Sequence, residues 1–159
     1  MLAAVLAVAI VAAGCGSSSD DSSSDTGSSD TTGTTAALSK AEFIKQGDAI
    51  CTKGNESIET EANEFAKENN VNTEKPTQAQ KEEVIIAVVA PAVRKEGEEI
   101  AELGAPSGDE EAVEAIVAAV EEGADELENE PKLLIDGKNP LAKGSKLAKS
   151  YGLKVCGEE

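Results

Sequence analysis

The chain has no histidine and no tryptophan, one methionine, and only three aromatic side chains: Phe43, Phe65 and Tyr151. Without histidine there is no Ser-His triad, no imidazole general base and none of the commonest transition-metal sites. Scarce aromatics beside plentiful Ala, Val, Ile and Leu favour close helix packing over a sheet of aromatic cross-strand pairs, so the expected class is all-α. Basic residues are few as well. Fourteen Lys and Arg stand against 31 Asp and Glu, a net charge of −17, which repels phosphate backbones and excludes nucleic acid as an expected partner. Long apolar runs are also missing: Leu2 to Ala13 supplies about 12 residues, against the roughly 20 that span a bilayer.

That short run closes on Val11-Ala12-Ala13-Gly14-Cys15 and opens a tract of Ser, Asp, Thr and Gly. Small residues just before a cysteine let a signal peptidase approach the backbone. The stretch resembles the bacterial lipobox, with Ala12 where leucine is usual. The resemblance implies a signal peptide over residues 1–14 and a diacylglycerol thioether on Cys15. With two or more acyl chains, of the palmitate kind, it also implies a firm anchor at the outer face of the bacterial cytoplasmic membrane. Residues 1–14 contain no Lys or Arg where a signal peptide begins with a basic segment, so the reading expects the true start to lie upstream.

Residues 16–37 hold eight Ser, five Thr, four Asp, three Gly and two Ala, with nothing larger than Ala to bury. This composition predicts a disordered tether with a root-mean-square reach of roughly 25 Å. The expected division is therefore signal peptide 1–14, lipidated Cys15 and tether 15–38, and a helical domain 39–159. Once Cys15 is lipidated, Cys51 and Cys156 form an even remainder, which an oxidising compartment favours pairing. There is no C-x-x-C, so the pair reads as a structural staple and not as a redox couple.

Four helices are expected. Ser39 with Glu42 forms an S-x-x-E capping box, Leu38 and Phe43 take the staple positions, and a stripe from Phe43 to Phe65 includes Gly47, Cys51 and Gly54. The two glycines are read as close helix contacts and not as a binding notch. Thr77 with Gln80 opens a second helix through Val84, Ile85, Val88, Val89, Ala92, Ile100 and Leu103, with Pro91 predicting a kink near residues 87–89. Ser107 with Glu110 makes a third box, followed by the stripe Val113, Ile116, Val117, Val120, Ala124 and Leu127. Asn139 with Pro140 is expected to start a fourth, shorter helix that Gly152 stops. Residues 105–130 carry ten carboxylates and no cation, while residues 131–159 carry six Lys against three acids, so the basic end is expected beside the acidic third helix.

Short connections suggest an up-down bundle of four helices with a kinked second helix and a stapled C-terminal tail. Cys51 lies 18 residues, about 27 Å of helix, before Asn69. The fourth helix descends roughly 17 Å and the five tail residues add up to about 17 Å more, so the thiols can meet.

At Glu42-Phe43-Ile44 with Gly47-Asp48-Ala49-Ile50-Cys51, at Leu103-Gly104-Ala105-Pro106-Ser107, and at Tyr151-Gly152-Leu153 with Cys156-Gly157, the chain resembles small uncharacterised lipoproteins of actinobacterial type. The resemblance implies architecture and a surface location, and no activity. The function expected is that of a membrane-anchored extracytoplasmic binding or interaction module with an envelope protein as partner. The alternative is a carrier of a small ligand or cation in the bundle interior. An enzyme ranks last, because every helix has exposed Glu and no carboxylate pair is singled out. Glu121, Glu122, Asp125 and Glu126 invite a calcium reading but have no D-x-[DN]-x-[DN]-G loop, and Gly144-Ser145-Lys146 resembles only the tail of a phosphate loop. Neither metal nor cofactor is expected, and no ligand-binding residue is identifiable.

Overall fold

A computed structural model of the chain describes residues 37–158. The leader 1–14, the lipidation site Cys15 and the tether as far as residue 36 lie outside the described residues. Those that are described form an all-helical domain with no strand among them: α1 (Lys40–Glu68), α2 (Gln78–Val84), a π turn over Ile85–Val89, α3 (Ala90–Glu102), α4 (Glu110–Asn129), α5 (Lys132–Ile135) and α6 (Ala142–Tyr151). The π turn joins α2 to α3 without a break, so the six segments make five helices. None is long and apolar enough to cross a membrane.

Two starts follow the local code. Ser39 Oγ accepts from the Glu42 N–H at 3.3 Å while Glu42 Oε2 accepts from the Ser39 N–H at 3.1 Å. Thr77 and Gln80 repeat the exchange at 3.3 and 2.9 Å. The third box does not form. Asp109 takes the N-cap position of α4 without a capping side chain, Gly108 has a left-handed φ of +89°, and Glu110 instead accepts from the Gly108 N–H. At the fourth start, Asn139 and Pro140 form a turn in which Asn139 Oδ1 accepts from the Leu141 N–H, and the helix begins at Ala142.

The proline effect is resolved as a π turn. Pro91 cannot donate to the carbonyl of residue 87, and the Ala90 N–H reaches back five residues to the Ile85 carbonyl. The extra residue rotates everything after it by about one helical step of 100°. Ala90, Val93, Gly97 and Ile100 therefore face the core, and Ala92, expected inward, is only half-buried.

Helix α3 packs between α1 and α4, and α6 lies against α4. The small residues make this possible: Gly97 receives Val120, and Gly144 receives Val120 from the other side. Arg94 of α3 bridges Asp125 and Glu128 of α4 at 2.9 Å each, and Lys143 of α6 pairs with Glu122, so the acidic helix does take its cations from its neighbours. Leu133, Leu134 and Ile135 of α5 stand at one end of the core. Only Ile135 packs on it, and Leu134 is exposed.

Helices α1 and α6 touch at one end, where Lys40 and Phe43 meet Tyr151, and elsewhere their backbones stay apart. The space between them is crossed by the tail. Gly152, with φ +121°, ends α6, and Leu153 is fully buried over Gly47, where a Cβ would meet Leu153 Cδ2 at 2.7 Å. The Val155 N–H donates to Asp48 Oδ1 at 2.8 Å. Cys156 is bonded to Cys51, with a Cα–Cα distance of 5.3 Å.

Candidate functional site

Three clusters make the core: Phe43, Cys51, Ile100 and Val113 near one end, Ile85, Ala90, Val93, Ala124 and Leu127 near the other, and Ile116, Ala148 and Leu153 beside the tail. Where they meet they leave a cavity of about 280 Å³. Its walls come from α1 (Cys51, Asn55, Ile58), α3 (Val93, Glu96, Gly97, Ile100), α4 (Ile116, Val120), α6 (Ser145, Ala148) and the tail (Val155, Cys156, Glu158), with Val89 and Leu141 completing the lining. The cavity occupies the gap where the backbones of α1 and α6 stay apart. A ten-residue helix is too short to fill the groove beside a 29-residue one, and the disulfide tail closes one wall instead.

The lining is mainly aliphatic, and its polar members are Asn55, Glu96, Ser145 and Glu158, with no Lys or Arg among the described residues. Glu96 is the unusual one. Its Oε1 is buried without a hydrogen-bond partner. The carboxyl lies against Gly54 of α1: a Cβ at position 54 would overlap Glu96 Oε1 and come within 2.6 Å of Glu96 Cγ. Gly54 is thus a seat for a carboxyl, in contrast to the bare helix contact expected of it, whereas Gly47 does serve packing. On the outer side of the same seam a second cavity of about 160 Å³ is lined by Lys53, Ser57, Glu61, Pro91, Ala92, Lys95 and Glu99 together with Gly54 and Glu96. Burial, and then the neighbouring Glu99 charge, push the Glu96 carboxyl up to about 7.

Glu96 went unsingled in the sequence, although a signal for it is there. Val89, Val93, Glu96 and Ile100 follow at steps of four, three and four, so one carboxylate interrupts an apolar stripe. What was missing is the register of α3 on α1 that seats its carboxyl on Gly54.

The raised value has a stability consequence with a definite sign. Glu96 binds its proton more tightly when folded than at its ordinary value near 4.5, so the native state holds more protons than the unfolded chain between about pH 4.5 and 7, and stability falls as pH rises through that window. Because the carboxyl remains partly open to water, the expected loss is only about 1–2 kcal/mol. Glu96→Gln should therefore match the parent near pH 4.5 and exceed it by that amount near pH 8 in urea unfolding. Parallel pH dependence in the two proteins would contradict the assignment.

A second cluster ties three helix ends together. The Tyr151 hydroxyl donates to Asp109 Oδ2 at 2.8 Å, Lys40 Nζ pairs with the same oxygen at 3.4 Å, and Lys40 lies 4.0 Å from the Tyr151 ring centroid. Asp109 is held below the ordinary carboxylate range, first by the Tyr151 hydrogen bond and then by Lys40. Burial and the Asp109 contact push Tyr151 up to about 12. With every member engaged, this cluster locks the fold.

The remaining motifs are placed plainly. Glu121, Glu122, Asp125 and Glu126 line an open acidic face of α4, and no group of three or more metal-binding side chains converges among the described residues. Gly144-Ser145-Lys146 lies within α6 and not in a loop, and Ser145 faces the cavity. Cys51 and Cys156 stand in its wall as a bonded pair. No protein-family model matches the chain, and no similar curated protein or solved structure was found.

Proposed function

We propose that this chain is a lipid-anchored extracytoplasmic lipoprotein whose helical domain binds a small molecule in the cavity beside Glu96. In this reading Cys15 carries the lipid, the tether sets the domain off the outer face of the cytoplasmic membrane, and the role is binding without catalysis. The observation that carries it is the partly open 280 Å³ cavity with Glu96 in its wall, a residue whose Oε1 is sealed against Gly54 without a partner. Well-packed interiors leave few spaces larger than a water molecule, so a cavity of this size with a half-buried carboxyl beside it suits a ligand site. Compared with an interaction module that uses its outer surface, this gives the cavity a use.

The proposal includes an up-down arrangement of α1, the joined α2–α3, α4 and α6. It is supported by pairings that run in opposite senses: Gly54 with Glu96 and Cys51 with Ile100, Arg94 with Asp125 and Gly97 with Val120, Gly123 with Leu141 and Gly144 with Val120. The anchor is supported by the run from Leu2 to Cys15.

Two measurements test the two halves. Intact mass of the natively expressed protein is expected to show acylated Cys15 as the first residue and a gain of two hydrogens on reduction; an unprocessed leader would refute the anchor. Titration of the ¹⁵N-labelled chain with ethylbenzene is expected to give saturable shifts at cavity residues such as Val93, Val120 and Ser145. Shifts that never saturate, or that spread over the surface, would refute the cavity as a binding site.

A further inference from the structure

We propose that the cavity selects a small organic cation, a monoammonium compound with a compact apolar body, whose charged head pairs with Glu96. The inference rests on the small-molecule reading above and adds the chemical class of the ligand. Size comes first. A cavity of about 150 Å³ holds benzene, so one of about 280 Å³ has room for roughly ten heavy atoms. The aliphatic walls formed by Ile58, Val93, Ile100, Ile116 and Val120 call for an apolar body.

Charge comes second. An ionised carboxylate only accepts hydrogen bonds, and an unpaired one in a low-dielectric wall is costly. The complement is a donor, and a cationic donor is the stronger. The lining offers Glu96 and Glu158 as charges, Asn55 and Ser145 as further hydrogen-bonding groups, and no cation that would admit an anion. A divalent metal is a poor fit, because calcium takes six to eight converging oxygens and no group of three or more metal-binding side chains converges among the described residues. An ammonium on an apolar body uses both halves of the site.

Proton linkage gives this ligand its own signature. The charged groups facing Glu96 are Lys53 and Glu61 of α1, Lys95 and Glu99 of its own helix and Glu158 of the tail; α4 contributes no charged side chain to either cavity. Lys95 is drawn to Glu99 at 3.8 Å. The ionisation of Glu96 near neutrality therefore governs the affinity for a cation, which rises with pH across that range, while the affinity for a neutral molecule does not.

The test uses the full chain and four probes: 2-phenylethylammonium, 2-phenylethanol, ethylbenzene and 3-phenylpropionate, titrated by NMR at about pH 7.5. The ammonium is expected to bind about ten-fold or more tighter than the alcohol, and the carboxylate weakest. Glu96→Gln is expected to cost the ammonium about ten-fold or more and to leave ethylbenzene within about two-fold. Should that variant fail to fold, the parent alone decides: ammonium affinity is expected to rise more than about ten-fold from pH 5.5 to 8.5 with ethylbenzene flat. Equal binding of ammonium and alcohol, or an ammonium affinity indifferent to both Glu96→Gln and pH, would overturn cation selectivity while leaving the cavity a binding site. Failure of all four probes would overturn both.

Discussion

Replacing Cys51 and Cys156 together by alanine is expected to cost about 3–4 kcal/mol of stability, read as a lowered urea midpoint. The bond closes a loop of 105 residues, and in the chain-entropy account such a loop contributes up to about 4.7 kcal/mol by restricting the unfolded ensemble. The full figure is not expected, because engineered and native bonds often deliver less than that account allows. Alanine is preferred to serine because Cys51 is buried among Phe43, Ile100 and Val113, where a hydroxyl would add a penalty of its own. The folded tail has other holds, Leu153 over Gly47 and the Val155 N–H on Asp48, so the variant is expected to fold with its tail in place. Amide exchange at residues 152–158 should nevertheless speed up before exchange in α3 or α4 does. A loss below about 1 kcal/mol would mean that the unfolded chain gains little from the open loop, and the entropic account would fail.

The same bond matters to the site because the tail is a wall of the cavity. Helix α6 alone cannot close the groove beside α1, and Val155, Cys156 and Glu158 complete the enclosure. The staple and the candidate ligand therefore act on one structural problem, the gap left by an α6 much shorter than α1.

Which of these features were legible beforehand depended on how local their causes are. The boxes at Ser39-Glu42 and Thr77-Gln80 need three residues of separation and nothing else, and they form as read. Ser107 with Glu110 has the same spacing and does not form: Gly108 turns the chain left-handed, and the neighbouring Asp109 is engaged by Tyr151, 42 residues away. The disulfide was legible because the cysteine count left one pairing once Cys15 is set aside. Pro91 announced a disruption at the right place, yet whether the helix bends or takes in an extra residue depends on its packing against α1 and α4. That choice decides whether Ala92 or Val93 faces inward.

Glu96 and its cavity depend on a still longer chain of causes. The seat at Gly54 requires the register of α1 on α3, and the free volume requires that α1 and α6 stay apart beyond their Phe43–Tyr151 contact. Neither is a property of any one segment. A carboxylate at helical spacing within an apolar stripe was visible, but nothing in its own segment showed the glycine of α1 that seats it.

Phe43→Ala is expected to cost about 3–5 kcal/mol, near the top of the range for a large-to-small core change. Phe43 has no exposed surface, and it packs with Cys51, Ile100 and Val113 and against Leu38. Its ring meets Tyr151 edge-on, with centroids 5.7 Å apart and planes at 83°, a geometry that adds to simple burial. The surrounding atoms belong to helices pinned from outside by the disulfide and by the Lys40, Tyr151 and Asp109 contacts, so the space left behind can collapse only in part. A smaller truncation, Phe43→Leu, keeps a branched apolar side chain in the space and should cost less, about 1–2 kcal/mol. The Tyr151 hydroxyl supplies a local readout that global unfolding does not. It stands at about 12 in the parent, with burial as the first cause, and opening the space beside the ring is expected to bring its ionisation, followed by ultraviolet absorbance, down toward the ordinary value of 10.0. A cost below about 2 kcal/mol with the Tyr151 titration unmoved would mean that this end of the core relaxes freely. The three helix ends gathered on Phe43 and Tyr151 would then not be the lock that holds the cavity walls in register.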